Sequence, residues 1–125
     1  MNTKRLQFTL LALLAALALA ACGGGGTPAD GGGQDITVQG LDTLRFDPEA
    51  LSASVGETVN VTLNNTGVLE HSFVIDEFNV TLGPVPGGQT DSGSFTPDTA
   101  GSYEYYCNVP GHREGGMVGT LTVNP

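Results

Sequence analysis

Apolar and polar residues alternate along most of the chain beyond residue 35, and this period of two predicts β-strands. Residues 51–55 read Leu-Ser-Ala-Ser-Val, and the alternation resumes in residues 59–63 after a turn at Gly56 and Glu57. Further strands of the same kind are predicted at residues 71–76, 80–82, 92–96, 103–107 and 117–123.

Turn-forming Gly, Pro, Asn and Asp residues separate these short strands, and no segment beyond residue 35 shows a convincing helical period. Residues 83–88 read Gly-Pro-Val-Pro-Gly-Gly, a composition that predicts a loop. Many short strands at this spacing predict an all-β fold, a β-sandwich of about seven or eight strands.

The first 21 residues have a different pattern, in which Lys4 and Arg5 precede an unbroken run of Leu and Ala from residue 10 to 21. Such a run is too short to span a bilayer comfortably and is typical of a signal peptide. It ends in Leu-Ala-Ala followed by Cys22, which resembles the lipobox of bacterial lipoproteins, whose cysteine becomes the lipid-carrying N-terminus. We therefore expect residues 1–21 to be a lipoprotein signal peptide and Cys22 to be lipidated. The alternative is an ordinary secretory signal whose cleavage site contains a cysteine by chance.

Residues 22–34 consist of Cys22 and a Gly-rich stretch that has too few apolar residues to fold by itself, so we interpret them as a tether. Such a tether has a root-mean-square span of about 20 Å. Residues 35–125 form the predicted domain. The protein is then expected to be exported and held by its lipid on the outer face of a bacterial membrane, on the periplasmic or extracellular side.

Charge and cysteine content exclude several classes of protein. The chain has 4 Lys and Arg residues against 13 Asp and Glu residues, and both basic residues before residue 45 lie in the predicted signal peptide. The remaining two arginines leave a net charge of −11, which excludes a nucleic-acid backbone binder. Two cysteines are too few for a disulfide-dense scaffold or for a four-cysteine zinc or iron–sulfur site.

The domain contains two histidines, one cysteine and one methionine, and three of these four residues form a Cys-x4-His-x4-Met motif. Taken singly, a buried Cys or Met often only packs, and a surface His is common. Taken together, a thiolate, two imidazoles and a thioether are the donor set of a blue-copper site. If Cys22 carries lipid, the thiol of the motif has no intramolecular disulfide partner. The candidate metal ligands are therefore His71, Cys107, His112 and Met117.

Around this motif, residues 106–123 look like the copper-binding loop and last strand of the cupredoxins. Residues 70–75 resemble the cupredoxin strand that bears the first histidine ligand, and the likeness extends over about residues 36–124. The resemblance implies a Greek-key sandwich with one type 1 copper ion bound near one apex. One departure is Ser72, because the family often has Asn after the first histidine ligand, where it supports the thiolate by a hydrogen bond.

The resemblance implies a one-electron carrier, with the ring edge of His112 at the surface as the route for the electron. The alternative is a copper-handling lipoprotein that stores or delivers the metal with the same ligands, and a third option is a β-sandwich without metal. A multicopper oxidase needs further His-rich sites that two histidines cannot supply, so we expect no enzymatic activity.

The acidic charge predicts the kind of partner. A net charge of −11 favours redox proteins with a basic docking face, such as a c-type cytochrome or a membrane redox complex. Residues 68–69 and 85–86 are expected to complete an apolar rim near His112. We expect the protein to act as a monomer.

Overall fold

The computed structural model describes residues 33–125. The predicted signal peptide, Cys22 and the predicted tether as far as residue 32 lie outside the described residues. The described part contains nine strands and one short 3-10 helix (Asp76–Phe78). The strands are β1 (Gln34–Leu41), β2 (Arg45–Asp47), β3 (Ala50–Ser54), β4 (Val59–Asn65), β5 (His71–Ile75), β6 (Val80–Val85), β7 (Thr90–Phe95), β8 (Gly101–Tyr106) and β9 (Val118–Asn124).

These strands form two sheets, which confirms the predicted all-β sandwich. One sheet has the order β2-β1-β4-β7, and the other has the order β3-β9-β8-β5-β6. β1 runs parallel to β4 and β3 runs parallel to β9, whereas the other neighbouring pairs are antiparallel. Within residues 33–125, no helix is long and apolar enough to cross a membrane.

The core lies between the sheets, and three aromatic rings pack against one another inside it. The ring centroids of Phe46, Phe73 and Tyr105 are 4.9, 5.2 and 5.8 Å apart. The hydroxyl of the fully buried Tyr105 donates a hydrogen bond to the carbonyl of Pro48 at 2.8 Å. Burial raises the pKa of Tyr105, so the hydroxyl remains a donor.

Strand β6 corrects the first half of the loop prediction at residues 83–88, because the strand continues through Gly83 and Pro84 as far as Val85, and only residues 86–88 lie in a loop. Proline is tolerated here because β6 is an edge strand, where its missing N–H removes no ladder hydrogen bond. The register between β5 and β6 shifts between His71 and Phe73, which marks a bulge. Composition predicted a loop because it does not reveal that the segment lies at a sheet edge.

The alternating pattern does not reveal β1 and β2, which is why the structure has more strands than predicted. β2 contains only three residues, and β1 alternates over little more than Ile36 and Val38. β1 begins at Gln34, the last residue of the predicted tether. Its parallel pairing with β4 carries the chain towards the candidate metal site, since Gly40 lies beside the ring of His71.

The close packing of Gly119 on the Tyr105 ring gives a testable prediction. Gly119→Ala should lower the free energy of unfolding by about 1–3 kcal/mol, because a Cβ at this position would overlap the ring. Gly101→Ala on β8 is the control, since its Cβ would contact Tyr103 at an ordinary 3.4 Å. Urea denaturation of both variants measures the difference, and equal losses would contradict the packing argument.

Candidate metal centre

The candidate site forms where three strand ends meet at one end of the five-stranded sheet β3-β9-β8-β5-β6. β8 ends immediately before Cys107, β9 begins immediately after Met117, and β5 begins with His71. β8 lies between β9 and β5 and is antiparallel to both. The loop of residues 107–117 and the first residue of β5 are therefore neighbours, although 36 positions separate His71 from Cys107.

Backbone hydrogen bonds close the loop of residues 107–117. The N–H of Cys107 donates to the carbonyl of Met117 at 3.1 Å, and the N–H of Met117 donates to the carbonyl of His112 at 3.0 Å. The N–H of His112 donates to the carbonyl of Val109 at 3.0 Å. Gly111 has a φ of 85°, a left-handed conformation that favours glycine and allows the tight turn. The protein chain itself thus sets the positions of the three candidate ligands in this loop.

His71 is placed from the other side of the site by close packing. Its side chain is fully buried, and a Cβ at Gly40 would lie only 3.0 Å from its Cδ2. On the opposite strand, a Cβ at Gly83 would lie 2.8 Å from the carbonyl oxygen of His71. Gly83 also has a φ of 86°, which favours glycine, and it forms the bulge beside His71. The bulge and the two glycines direct the imidazole of His71 towards the loop.

Three donor atoms converge between His71 and the loop. The Nδ1 atoms of His71 and His112 are 3.3 Å apart, and Sγ of Cys107 lies 3.5 Å from Nδ1 of His112. All three donor atoms lie within 4.8 Å of one another. Around one tetrahedral ion with ordinary bond lengths, two nitrogen donors are about 3.4 Å apart and a nitrogen and a sulfur about 3.6 Å. The donor set therefore fits a single metal ion.

The electrostatics of the site favour the protonation state that a metal requires. Burial lowers the pKa of His71, the nearby His112 lowers it further, and Asp42 opposes both effects. His71 is thus a neutral imidazole with a lone pair available for a metal. Hydrogen bonds from the backbone N–H groups of Leu69 and Val68 hold the pKa of Asp42 below its usual value.

The candidate thiolate accepts a hydrogen bond from the backbone of Ser72. The Ser72 N–H lies 3.3 Å from Sγ of Cys107, and the Ser72 hydroxyl lies 3.5 Å from it. The same hydroxyl lies 2.6 Å from Oδ1 of Asn108 and accepts the Asn108 N–H at 2.8 Å. One hydroxyl carries one proton, and the shorter contact directs it to Asn108. The Ser72 side chain therefore ties the two ligand segments together, while its backbone N–H supports the sulfur.

Met117 is fully buried within the same apolar core as Cys107. Its backbone is hydrogen-bonded to both other candidate ligands of the loop, Cys107 and His112. The structure thus places all four sequence-predicted residues at one end of the sandwich, with the donor atoms of His71, Cys107 and His112 gathered together.

The two histidines differ in exposure. His71 is fully buried, whereas His112 is only partly buried and reaches the surface. Just before His71 in the chain, Val68 is 83% exposed and Leu69 is 44% exposed. The loop after β6 packs closely on this segment, since a Cβ at Gly87 would lie 2.8 Å from Cα of Val68. Val85 cannot contribute to the predicted apolar rim, because it is buried.

Arg113, which follows His112, is already engaged within the protein. Its guanidinium forms an ion pair with Glu104 and lies 3.9 Å from the centroid of the Tyr106 ring. Arg45 pairs with Glu49 at 3.2 Å. Both arginines of residues 33–125 therefore face acidic side chains, which leaves the surrounding field negative.

Two further side chains support the site, Asp42 and Asn108, and the ligand motif did not single them out. Asn108 lies inside the motif that drew attention to the ligands, so its position next to Cys107 was an available signal. Asp42 lies 29 positions before His71, at the end of β1, and no local pattern distinguishes it from other acidic residues.

The fold and the donor atoms together define a small β-sandwich protein with a mononuclear cysteine–dihistidine metal site. The chain belongs to the cupredoxin-like family, because the family model described as cupredoxin-like domain matches residues 9–123.

Individual relatives support this membership. The chain is 35% identical to the copper-resistant cuproprotein CopI of Rubrivivax gelatinosus, over 78% of this chain and 72% of that protein. It is 32% identical to auracyanin-A of Chloroflexus aurantiacus, over 95% of this chain and 98% of the relative. The solved structure of auracyanin A from that bacterium, described as a blue copper protein, superposes with a TM-score of 0.66 and 27% identity. That superposition covers 74% of this chain and all of the other. Plastocyanin of Prochlorothrix hollandica is 36% identical over 62% of each chain.

The tie between Ser72 and Asn108 gives the prediction for this site. In the metal-free protein, Ser72→Ala should lower the free energy of unfolding by about 1 kcal/mol, because it removes both hydrogen bonds to Asn108. Ser102→Ala, at an exposed serine on β8, is the matched control. Urea denaturation provides the measurement, and a loss no larger than that of the control would show that the tie contributes nothing to stability.

Proposed function

We propose that this protein is a one-electron carrier that binds one type 1 copper ion through His71, Cys107, His112 and Met117. The observation that carries the proposal is the convergence of two imidazole Nδ1 atoms and one thiolate sulfur within 4.8 Å of one another. Soft sulfur donors combined with imidazole suit copper, and Met117 would complete the donor set as a weak ligand. When bound, copper supplies a centre that alternates between Cu(I) and Cu(II).

The protein contribution to electron transfer is rigidity. The hydrogen bonds within the loop and the bond from the Ser72 N–H to Cys107 fix the donors in one arrangement. Such a site resists rearrangement when the charge of the metal changes. Four protein donors also leave no open position for a substrate, in contrast to catalytic metal sites, which keep one. We therefore propose that the protein has no enzymatic activity of its own.

Electrons are proposed to leave and enter through His112. This residue is partly exposed, and the exposed apolar side chains of Val68 and Leu69 lie on the segment that leads into His71. An apolar rim around a ligand edge suits brief docking with a redox partner, because it releases water without requiring a large interface.

The proposed partner has a basic docking face, such as that of a c-type cytochrome or a membrane redox complex. Thirteen acidic residues follow Cys22, and the two arginines that follow it pair with Glu49 and Glu104. The long-range field therefore attracts basic proteins, and the protein is proposed to serve them as a monomer.

A copper-handling role is the second candidate, favoured by the relatives that carry the name copper-resistant cuproprotein. The same donors would then store or deliver copper instead of passing electrons. A carrier keeps its copper through many cycles of ascorbate reduction and reoxidation. A handling protein transfers its copper to an acceptor when reduced. Measuring retained copper after repeated cycles separates the two roles.

We also propose that the protein is exported and lipidated on Cys22, at the outer face of a bacterial membrane. The supporting pattern is the apolar run of residues 10–21 that ends at this cysteine. Cys22→Ser should move the protein from the membrane fraction to the soluble fraction. Mass spectrometry of the N-terminal peptide of the native protein checks the same point, and an unmodified Cys22 would refute the anchor.

Cys107→Ser should abolish the intense blue absorption of the copper-loaded protein, because the colour requires a copper–thiolate bond. Met117→Leu is the matched control, since it removes the other sulfur ligand yet should remain blue with a raised reduction potential. Visible spectra and redox titration provide both readouts. A Cys107→Ser variant that stays intensely blue would remove Cys107 from the site and refute the assignment.

Electron transfer to a basic cytochrome should slow steeply as ionic strength rises, because salt screens the attraction over about 8 Å at physiological concentration. Stopped-flow rates across a salt series measure this dependence. Arg113→Glu should speed the reaction at low salt, because it removes a positive charge beside Glu104 and adds a negative one. A rate that is independent of both salt and this substitution would leave docking through the apolar rim alone.

A further inference from the structure

The second ring nitrogen of His71 lacks the partner that a buried polar atom normally has. Its Nε2 atom is buried and has no hydrogen-bond partner among the described residues. The carboxylate oxygen Oδ1 of Asp42 lies 3.7 Å from it. If Nδ1 of His71 serves as a metal donor, Nε2 must carry the proton and needs an acceptor. The carboxylate of Asp42 is positioned to be this acceptor.

Asp42 is held in this position by the segment before β5. The Val68 N–H lies 3.0 Å from both carboxylate oxygens, and the Leu69 N–H lies 3.0 Å from Oδ1. A Cβ at Gly67 would overlap the carboxylate, so the absence of a side chain there creates the space that Asp42 fills. The carboxylate is thus built into the fold, although its side chain is 39% exposed.

The opposite side of the imidazole is equally constrained. A Cβ at Gly40 would lie 3.0 Å from Cδ2 and 3.1 Å from Cβ of His71. Gly40 and Asp42 are two positions apart at the end of β1, so one short segment both packs on the ring and faces its Nε2. A shift of about 0.7 Å brings Nε2 and Oδ1 into hydrogen-bond range.

We propose that Asp42 is a positioning residue for His71. Its carboxylate keeps the proton on Nε2, so that the lone pair of Nδ1 faces Cys107 and His112, and its negative charge favours Cu(II) over Cu(I). The preference for Cu(II) over Cu(I) rests on the proposed copper site, whereas the position of the proton does not. Metal-binding histidines commonly donate their other N–H to a carboxylate or carbonyl, which fixes the tautomer and orientation of the ring.

The same carboxylate connects the buried ligand to the surface. Through the N–H groups of Val68 and Leu69, Asp42 anchors the exposed apolar segment that precedes β5. The orientation of His71 and the shape of the apolar rim therefore depend on one side chain. To test the charge of Asp42 alone, a variant must remove the charge and keep an oxygen that accepts the two N–H groups.

Three variants of the full chain provide the test. Asp42→Asn removes the charge and retains one acceptor oxygen, whereas Asp42→Ala removes both. Asp35→Asn is the matched control, because it removes one charge from the other end of β1, about 20 Å away. Nitrogen-15 NMR of His71 in the metal-free protein reports the tautomer, and redox titration of the copper-loaded protein reports the Cu(I) to Cu(II) ratio.

In the metal-free wild type and in Asp42→Asn, His71 should carry its proton on Nε2. In Asp42→Ala, the ratio of the Nδ1–H form to the Nε2–H form should rise about tenfold. An unchanged tautomer in Asp42→Ala would overturn the positioning role. This readout needs no copper, so it stands even if the copper assignment fails.

In the copper-loaded proteins, Asp42→Asn should raise the Cu(I) to Cu(II) ratio at a fixed solution potential about tenfold, which corresponds to 59 mV. Asp35→Asn should change the ratio much less, because its charge is distant and screened. Equal shifts in the two variants would overturn the local effect of Asp42. Blue colour in all the variants shows that the copper site itself is intact, so failure of this inference is distinct from failure of the proposed function.

Discussion

The hydrogen bond from the Cys107 N–H to the carbonyl of Met117 is the constraint on which the site depends. It continues the pairing of β8 with β9 by one step beyond the strands and closes the loop between them. Because both ends of the loop are held by the sheet, the turn at Gly111 places His112 between them. The stability of the sandwich is therefore used directly to hold the donor atoms in position.

The sequence was informative wherever the chemistry is local. The spacing from Cys107 to Met117 is visible as a motif, and alternation located the strands on either side of it. The sequence was uninformative wherever a residue acts on another that is distant along the chain. Asp42 faces His71 across 29 positions, and only the folded chain reveals that contact. Gly83 and Pro84 have the composition of a loop, yet at a sheet edge they form the bulge beside His71.

Ser72 illustrates how the structure changes the interpretation of a substitution. From sequence, serine in place of the asparagine usual in this family raised a question about support for the thiolate. In the structure, the backbone N–H of Ser72 supplies that hydrogen bond, and any residue with a free N–H can do so. The side chain instead bonds to Asn108 by both its proton and its oxygen. The sulfur support and the connection between ligand segments are thus separate functions of one residue.

The asymmetry between the two histidines explains how one site can be both rigid and accessible. His71 is fully buried, packed on Gly40 and aligned with Asp42, so it belongs to the core. His112 lies on the loop and is partly exposed, so it belongs to the surface. Their Nδ1 atoms are nevertheless only 3.3 Å apart. His112 therefore links the donor cluster to the surface through a single imidazole ring, while the side chains of His71, Cys107 and Met117 are shielded from water, which keeps the effective dielectric around them low.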